Sequence, residues 1–366
     1  MMATDKQTTL TASCLCAANS FTAKTAADSL PLSAGCCHCD SCRRLTGNLY
    51  SVCAPWPVEP DLSGLRQYSM SPRISTFSCD KCGSTLFCQV AGLEWIYVIL
   101  GMVDADNRAA AVVAKYGSHM WVGDTLDGGA SGWIERNAVG GEEIRRWREH
   151  RGEELTRGWG QDFAAAQKRD AAVPEKTLIG CHCGGVALVL RSAAARRDER
   201  GPLPECVHPE SLRYRANICA CDSCRRASGA EVTPWATVPL SHIEAVGAAG
   251  FPASIHALKD AVDKGQFGSL TYFESSENVE RYRCGVCSAG VFWAVHDQVD
   301  TVCVAVGVLQ GEGGARKEGL LEWEFTRGVL FKEDVKGTWR EGFVAALEQS
   351  EEWQKGVAQE KKANFG

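Results

Sequence analysis

Long hydrophobic runs are missing from this chain. The longest near-apolar stretch, residues 95–103, is far shorter than the ~20 residues that a membrane-spanning helix needs. The opening MMATDKQTTLTAS has no apolar segment of the kind a secretory signal carries. Together these predict a soluble, cytoplasmic protein with no membrane partner. An excess of positive charge is also missing. Lys plus Arg number 39 against 45 for Asp plus Glu, giving a net charge of −6 and a pI of about 5.8. That balance excludes a strongly basic nucleic-acid binder, and no nucleic-acid partner is expected. No Ser/His/Asp triad, phosphate loop or carboxylate pair can be argued from the sequence. What is left is an ordinary folded composition, 45% hydrophobic and 23% charged over 366 residues, enough for two or three domains.

Cysteine, by contrast, is abundant: there are 19. Cytosolic thiols stay reduced, so their spacing is read for metal binding, catalysis or packing rather than for disulfides. The spacing repeats. Cys14-Leu-Cys16, Cys37-His-Cys39-Asp-Ser-Cys42 and Cys79-Asp-Lys-Cys82 recur as Cys181-His-Cys183, Cys219-Ala-Cys221-Asp-Ser-Cys224 and Cys284-Gly-Val-Cys287. CDSCRRLTG matches CDSCRRASG, and GSTLFCQV parallels SAGVFWAV. The sequence is therefore read as two tandem cysteine-rich domains, 8–140 and 176–340. A connector, 141–175, lies between them and a C-terminal helix or tail, 341–366, follows. Five acidic and five basic residues in 142–157, with Trp147, Leu155 and Trp159, predict a charged connecting helix. Phe343, Leu347 and Trp353 mark the apolar side of a terminal helix over 339–362.

Strands are predicted at 49–53, 74–78, 86–90, 95–103, 185–190 and 302–309, from short runs rich in Val, Ile, Tyr and Phe. Each CxxC then falls in a hairpin turn between strands. A short helix is expected after each CxCxxC, ended by Gly47 and Gly229, and another over 254–265. Two inserts lengthen the second copy, one at 196–211, read as a surface loop, and one at 253–280. The fold expected is mainly β, with short helices.

Seven motif cysteines per copy cannot make two closed four-thiolate sites; they make one of four and one of three. CxC and CxxC are half-sites that distant strands can bring together: Cys14, Cys16, Cys79 and Cys82, and again Cys181, Cys183, Cys284 and Cys287. The contiguous motif can wrap one ion alone: Cys37, Cys39 and Cys42, and again Cys219, Cys221 and Cys224. Thiolates at such spacing favour zinc, up to four ions per chain. A closed site is structural, whereas three protein ligands with an open position is the catalytic layout. The alternative is a hidden fourth ligand, with His38 and His182 as candidates, yet the sister copies hold Ala220 and Leu15 there. Of the other cysteines, Cys53, Cys88 and Cys303 sit at apolar strand positions. Cys36 is a potential substitute ligand for Cys37, and Cys206 would be reactive if exposed. Arg43, Arg44, Arg225 and Arg226 balance the charge of a zinc trithiolate or clamp a substrate carboxylate. Asp40, Ser41, Asp124 and Asp127 read as turn residues.

The pattern CxC…CxCxxC-R-R-x-[ST]-G…CxxC, found twice, resembles the glutathione-dependent formaldehyde-activating enzyme family, which includes centromere protein V-like proteins. HMWVGDTLDGG and VLFKEDVKG resemble the family's last strand and turn. The resemblance implies a β-tent fold in each copy, a structural four-cysteine zinc and a catalytic three-cysteine zinc. It also implies a carbon–sulfur lyase chemistry, the joining of glutathione as co-substrate to formaldehyde. The arginines would hold a glutathione carboxylate. Two positions depart from the pattern: Ala17 replaces the glycine of CxCG, and Ser288 that of CxxCG. Function is therefore expected to be a zinc lyase acting on a small molecule. Alternatives are a biosynthetic zinc enzyme with another substrate, working by elimination, addition or rearrangement, and a non-catalytic zinc-stabilised binding module.

Overall fold

The computed structural model describes residues 7–106, 112–169, 172–196, 202–246 and 250–365. It is mainly β, in four sheets. In each half a small three-stranded sheet carries the CxC turn. Gln7–Ser13 pairs antiparallel with Ser20–Ala26 and with Val103–Ala105; Lys176–Gly180 pairs with Ala187–Arg191, which pairs with Ile243–Ala245.

The larger sheets share one strand order. In the first half it runs Ala114–Met120, Leu32–Cys37, Ser51–Pro55, Ile96–Ile99, Thr85–Val90, Ile74–Ser78, Arg66–Ser69. In the second it runs Leu321–Trp323, Tyr214–Cys219, Thr233–Pro239, Thr301–Ala305, Gly290–Val295, Val279–Cys284, Leu270–Ser276. The first pair of each row is parallel and the rest are antiparallel. Alternating residues fill the core, where Trp56, Tyr50, Phe87, Tyr214 and Phe292 are buried. Six helices complete the described chain: α1 (Asp40–Thr46), α2 (Gln161–Arg169), α3 (Asp222–Ser228), α4 (Ile255–Asp263), α5 (Trp339–Glu348) and α6 (Glu351–Phe365). No helix among the described residues is long and apolar enough to cross a membrane.

Several expectations meet the structure directly. Ile74–Ser78 is a strand, α1 and α3 follow the CxCxxC motifs, and Gly47 and Gly229 end them in the left-handed conformation. The helix expected over 254–265 is α4. The terminal stretch is helical but breaks at Gln349 and Ser350 into α5 and α6.

The charged helix predicted over 142–157 is not formed. Arg145–Trp147 and Glu154–Leu155 are strands that extend the first large sheet, and the helix of the connector lies further on, as α2. The charges that suggested a helical face pair across the hairpin instead. Arg145 Nη2 donates to Glu154 Oε2 at 2.7 Å and Arg148 Nη2 to Glu153 Oε1 at 3.0 Å, while Ile144, Arg146 and Leu155 turn inward. Alternating charge supports either geometry, and the inward anchors decide. The insert at 196–211 is only partly described: 197–201 lie outside the described residues, and Val207 bridges to Tyr214.

The halves dock through their helices. The Gly307 amide donates to the Gly47 carbonyl at 2.9 Å, and the Gly101 amide to the Gly229 carbonyl at 3.0 Å. Phe343 and Trp353 of the terminal helices pack back on Tyr116 and Trp133 of the first half.

Candidate metal centres

Each half brings its seven motif cysteines into two groups. Cys14 and Cys16 lie in the turn after Gln7–Ser13, and Cys79 and Cys82 in the turn between Ile74–Ser78 and Thr85–Val90. The sulfurs of Cys14 and Cys16 are 3.6 Å apart, and those of Cys16 and Cys79 3.7 Å. In the second half Cys181–Cys183 and Cys183–Cys284 are 3.6 and 3.5 Å apart, with Cys287 completing the group. A tetrahedral zinc with bonds of about 2.3 Å sets its sulfurs about 3.8 Å apart, so both groups fit that ion with little movement. Hydrogen bonds onto sulfur suit thiolates: Asn19 N donates to Cys14 Sγ at 3.3 Å, Val186 N to Cys181 Sγ at 3.2 Å and Gly185 N to Cys183 Sγ at 3.4 Å. Hydrogen bonding from Cys14 and from Ser84 pulls the Cys82 thiol down to about 4.

The two departures from the family pattern fall where the backbone is left-handed. Ala17 has φ +56° where Gly184 has +76°, and Ser288 has φ +65° where Gly83 has +77°. The turn survives both replacements: Ser288 N donates to Cys284 O at 3.0 Å as Gly83 N does to Cys79 O at 2.8 Å.

The three-cysteine groups are built where a strand runs into a helix. Cys37 ends Leu32–Cys37, Cys39 caps α1 by accepting from Cys42 N at 3.3 Å, and Cys42 lies in the first turn. Cys219, Cys221 and Cys224 repeat this on α3, again with a 3.3 Å cap. The Cys37 and Cys42 thiols pull Cys39 down to about 3. Among the described residues no histidine or carboxylate joins either trio. His38 turns to the opposite face, against Cys36 and His119, and His182 Nδ1 lies 2.8 Å from the Tyr68 hydroxyl. The substitution of Cys36 for Cys37 is thereby corrected, because strand alternation turns Cys36 away from the trio. Cys206 is buried, and burial pushes its thiol up to about 11, so the reactive exposed thiol is corrected as well.

Asp124 and Asp334, from the equivalent loops, accept from the first amides of the helices, Asp40 N at 3.4 Å and Asp222 N at 2.9 Å. Asp127 joins the halves, its Oδ2 accepting from Arg316 N at 2.7 Å.

The four arginines are spent unequally. Arg225 is buried and saturated: it donates to Asp222, to the Gly101 and Val103 carbonyls and to Asp104, and Arg226 also binds Asp104 at 2.6 Å. Arg44 donates to the Cys181 carbonyl at 2.8 Å. Three of the four thus clasp the halves together. Arg43 differs. It reaches Asp40 and the Asp124 carbonyl at 3.5 and 3.2 Å and lines a cavity of about 210 Å³ with Asp40, Asp124, Gln310 and Lys317. Gln310 stands where the other half has Asp104. The space around Asp104, Asp222, Arg225 and Arg340 measures only about 10 Å³.

A residue that sequence reading passed over is Arg281. Its Nη1 and Nη2 lie 3.6 and 3.7 Å from Cys224 Sγ, a thiol that hydrogen bonding with Cys219 and Cys221, and then Arg281, holds well below the usual range. The equivalent residue is Thr76. The signal was present in VERYRC set against ISTFSC, an arginine at the position facing the trio.

No curated protein and no solved structure matches the chain. The family model of the glutathione-dependent formaldehyde-activating enzyme matches residues 9–124, a segment holding all seven motif cysteines of the first half. Residues 9–124 are thus similar to that family.

Proposed function

We propose that the protein is a zinc-dependent carbon–sulfur lyase-like enzyme acting on a small molecule, with glutathione plus formaldehyde as the named case, and that the first half holds the working site. The observation that carries this reading is the pairing of a four-sulfur group with a three-sulfur group in each half. The first matches a closed structural ion and the second leaves a coordination position for substrate. Domains drawn at 8–140 and 176–340 belong to the same reading.

Cys14, Cys16, Cys79 and Cys82, with Cys181, Cys183, Cys284 and Cys287, would hold structural zinc. Cys37, Cys39 and Cys42, with Cys219, Cys221 and Cys224, would hold the open ions. Bound there, zinc supplies Lewis acidity, which lowers the pKa of a thiol and polarises a carbonyl. The chain's own part is positional. The Cys39 cap and the Asp124 carboxylate fix the start of α1, and thereby the spacing of the trio. Arg43, facing the cavity beside that turn, offers a donor fork for a substrate carboxylate. In the second half Arg281 lies against Cys224 and Arg225 is saturated, which favours the first half as the site of turnover.

The test is NMR exchange between glutathione, formaldehyde and their adduct, with the wild-type chain and with Cys37→Ser and Cys219→Ser. Faster exchange that is lost in Cys37→Ser and kept in Cys219→Ser supports the reading. Loss in Cys219→Ser alone moves the site to the second half. Unchanged exchange by the fully metallated wild type discards the named reaction and leaves the biosynthetic alternative.

A further inference from the structure

On the face of Leu32–Cys37 opposite the three-cysteine group lies a second cluster of metal-binding side chains. Alternation along the strand turns Cys36 and His38 to one side and Cys37 to the other. The neighbouring strand Ala114–Met120 runs parallel, with His119 in register with Cys36. Cys36, His38 and His119 are wholly buried. Cys36 Sγ lies 3.4 Å from His38 Nε2, which lies 2.9 Å from His119 Nδ1.

Four observations bear on what this cluster does. First, the same backbone in the second half carries Ile218, Ala220 and Val329, with Cys219 bridging Leu330 there as Cys37 pairs with Met120. The fold therefore does not need polar residues at these positions, and burying three of them costs desolvation. Second, His119 Nε2 lies 2.8 Å from the Ile134 carbonyl. Donating there fixes the tautomer that leaves the Nδ1 lone pair pointing into the cluster, the outer-shell arrangement of ligating histidines.

Third, His38 then bridges to His119 only with its proton on Nε2, which strands its Nδ1, buried and without a partner. An ion held by His38 Nε2 would take the place of that proton where the two rings meet. Fourth, Glu231 is buried beside the cluster, bound by Tyr50, whose ring stacks on that of His38 at 5.8 Å. Its Oε2 accepts from Tyr50 and Tyr116, while Oε1 has no partner. Here is a counter-charge for a cation bound to one thiolate and two imidazoles.

We propose that Cys36, His38 and His119 form a further metal site, present only in the first half, for an ion of the zinc or copper class. One sulfur and two imidazole nitrogens suit such ions and not magnesium or calcium. With bonds of about 2.0–2.3 Å the donors would stand about 3.3–3.6 Å apart, so the histidines separate by about half an ångström. All three side chains are wholly buried, so loading accompanies folding.

The assignment stands apart from the cysteine clusters, because those offer sulfur alone. The test uses the full-length, tag-free chain, purified separately after growth with zinc and with copper. The comparison is with Cys36→Ile/His38→Ala/His119→Val, which installs the second half's own residues. Elemental analysis is expected to show one equivalent of metal fewer in the triple variant, and which supplement fills it names the ion. X-ray absorption of the wild type is expected to show imidazole scattering, a result that does not depend on the variant folding. Equal metal content in two folded proteins overturns the proposal, as does sulfur-only scattering at full loading. A shortfall at the cysteine clusters would lower the totals of both proteins and leave their difference intact.

Discussion

The Gly307 amide donates to the Gly47 carbonyl at 2.9 Å, and its counterpart, Gly101 to Gly229, measures 3.0 Å. The turn that follows a sheet strand in one half thus binds the glycine that ends the helix after the three-cysteine motif of the other. Backbone meets backbone because no side chain stands between them. A Cβ on Gly307 would fall 2.1 Å from the Asn48 carbonyl oxygen and 2.6 Å from the Gly47 carbonyl carbon.

Gly307→Ala should therefore loosen the junction between the halves. Gly307 does not have a positive φ, so the effect is steric alone, a loss of about 3 kcal/mol for displaced backbone. Denaturant titration should show the lowered midpoint. An unchanged midpoint would mean that this contact does not contribute to stability.

Ala17→Gly should act in the other direction. Ala17 sits at φ +56°, a conformation that costs an L-residue about 1 kcal/mol and glycine little. A gain of about 0.5–1 kcal/mol is expected, with metal content unchanged, and thermal melting of the metallated protein measures it.

Lys317 is buried, and burial together with Arg43 lowers its pKa to about 8. A folded-state pKa below the unfolded value near 10.5 means that the folded chain resists the proton. Stability should rise in the wild type between about pH 8 and 10.5 and fall as pH drops through that window. Lys317→Met should remove this dependence, making the variant the more stable near pH 7 and closing the gap toward pH 10.5. Melting curves across that range decide; parallel profiles for the two proteins would refute the assignment.

Cys79→Ser and Cys37→Ser should part company. The four-sulfur groups join the small sheet to the large one, so a metal held there would be folding energy. Cys79→Ser should lower the melting temperature sharply, and a strong zinc chelator should reproduce that on the wild type. Cys37→Ser should lose metal from one site while the circular dichroism spectrum stays that of the wild type. Equal collapse of both variants would make the three-sulfur site scaffold as well.

The cysteine groupings were legible in the sequence because their logic is local and countable. Seven cysteines at repeated spacings partition into four and three, and CxCxxC followed by a glycine-ended helix needs no distant information. Ile74–Ser78 and α1 followed from periodicity and capping for the same reason. The 142–157 segment did not, since Arg145, Arg148, Glu153 and Glu154 can pair along a helix or across a hairpin. Only the inward anchors Ile144, Arg146 and Leu155 choose between the two.

Tertiary structure alone decided how the repeated residues diverge in use. Arg43 and Arg225 are identical in local sequence, yet Arg225 meets Asp104 while Arg43 faces a cavity beside Gln310. Cys36 and His38 read as neighbours of ligands until strand alternation and the parallel strand bearing His119 gather them on the far face. Spacing along the chain fixes which donors can share an ion. Contact across sheets and between halves fixes which charges are already satisfied, because burial and pairing belong to the partner that folding brings.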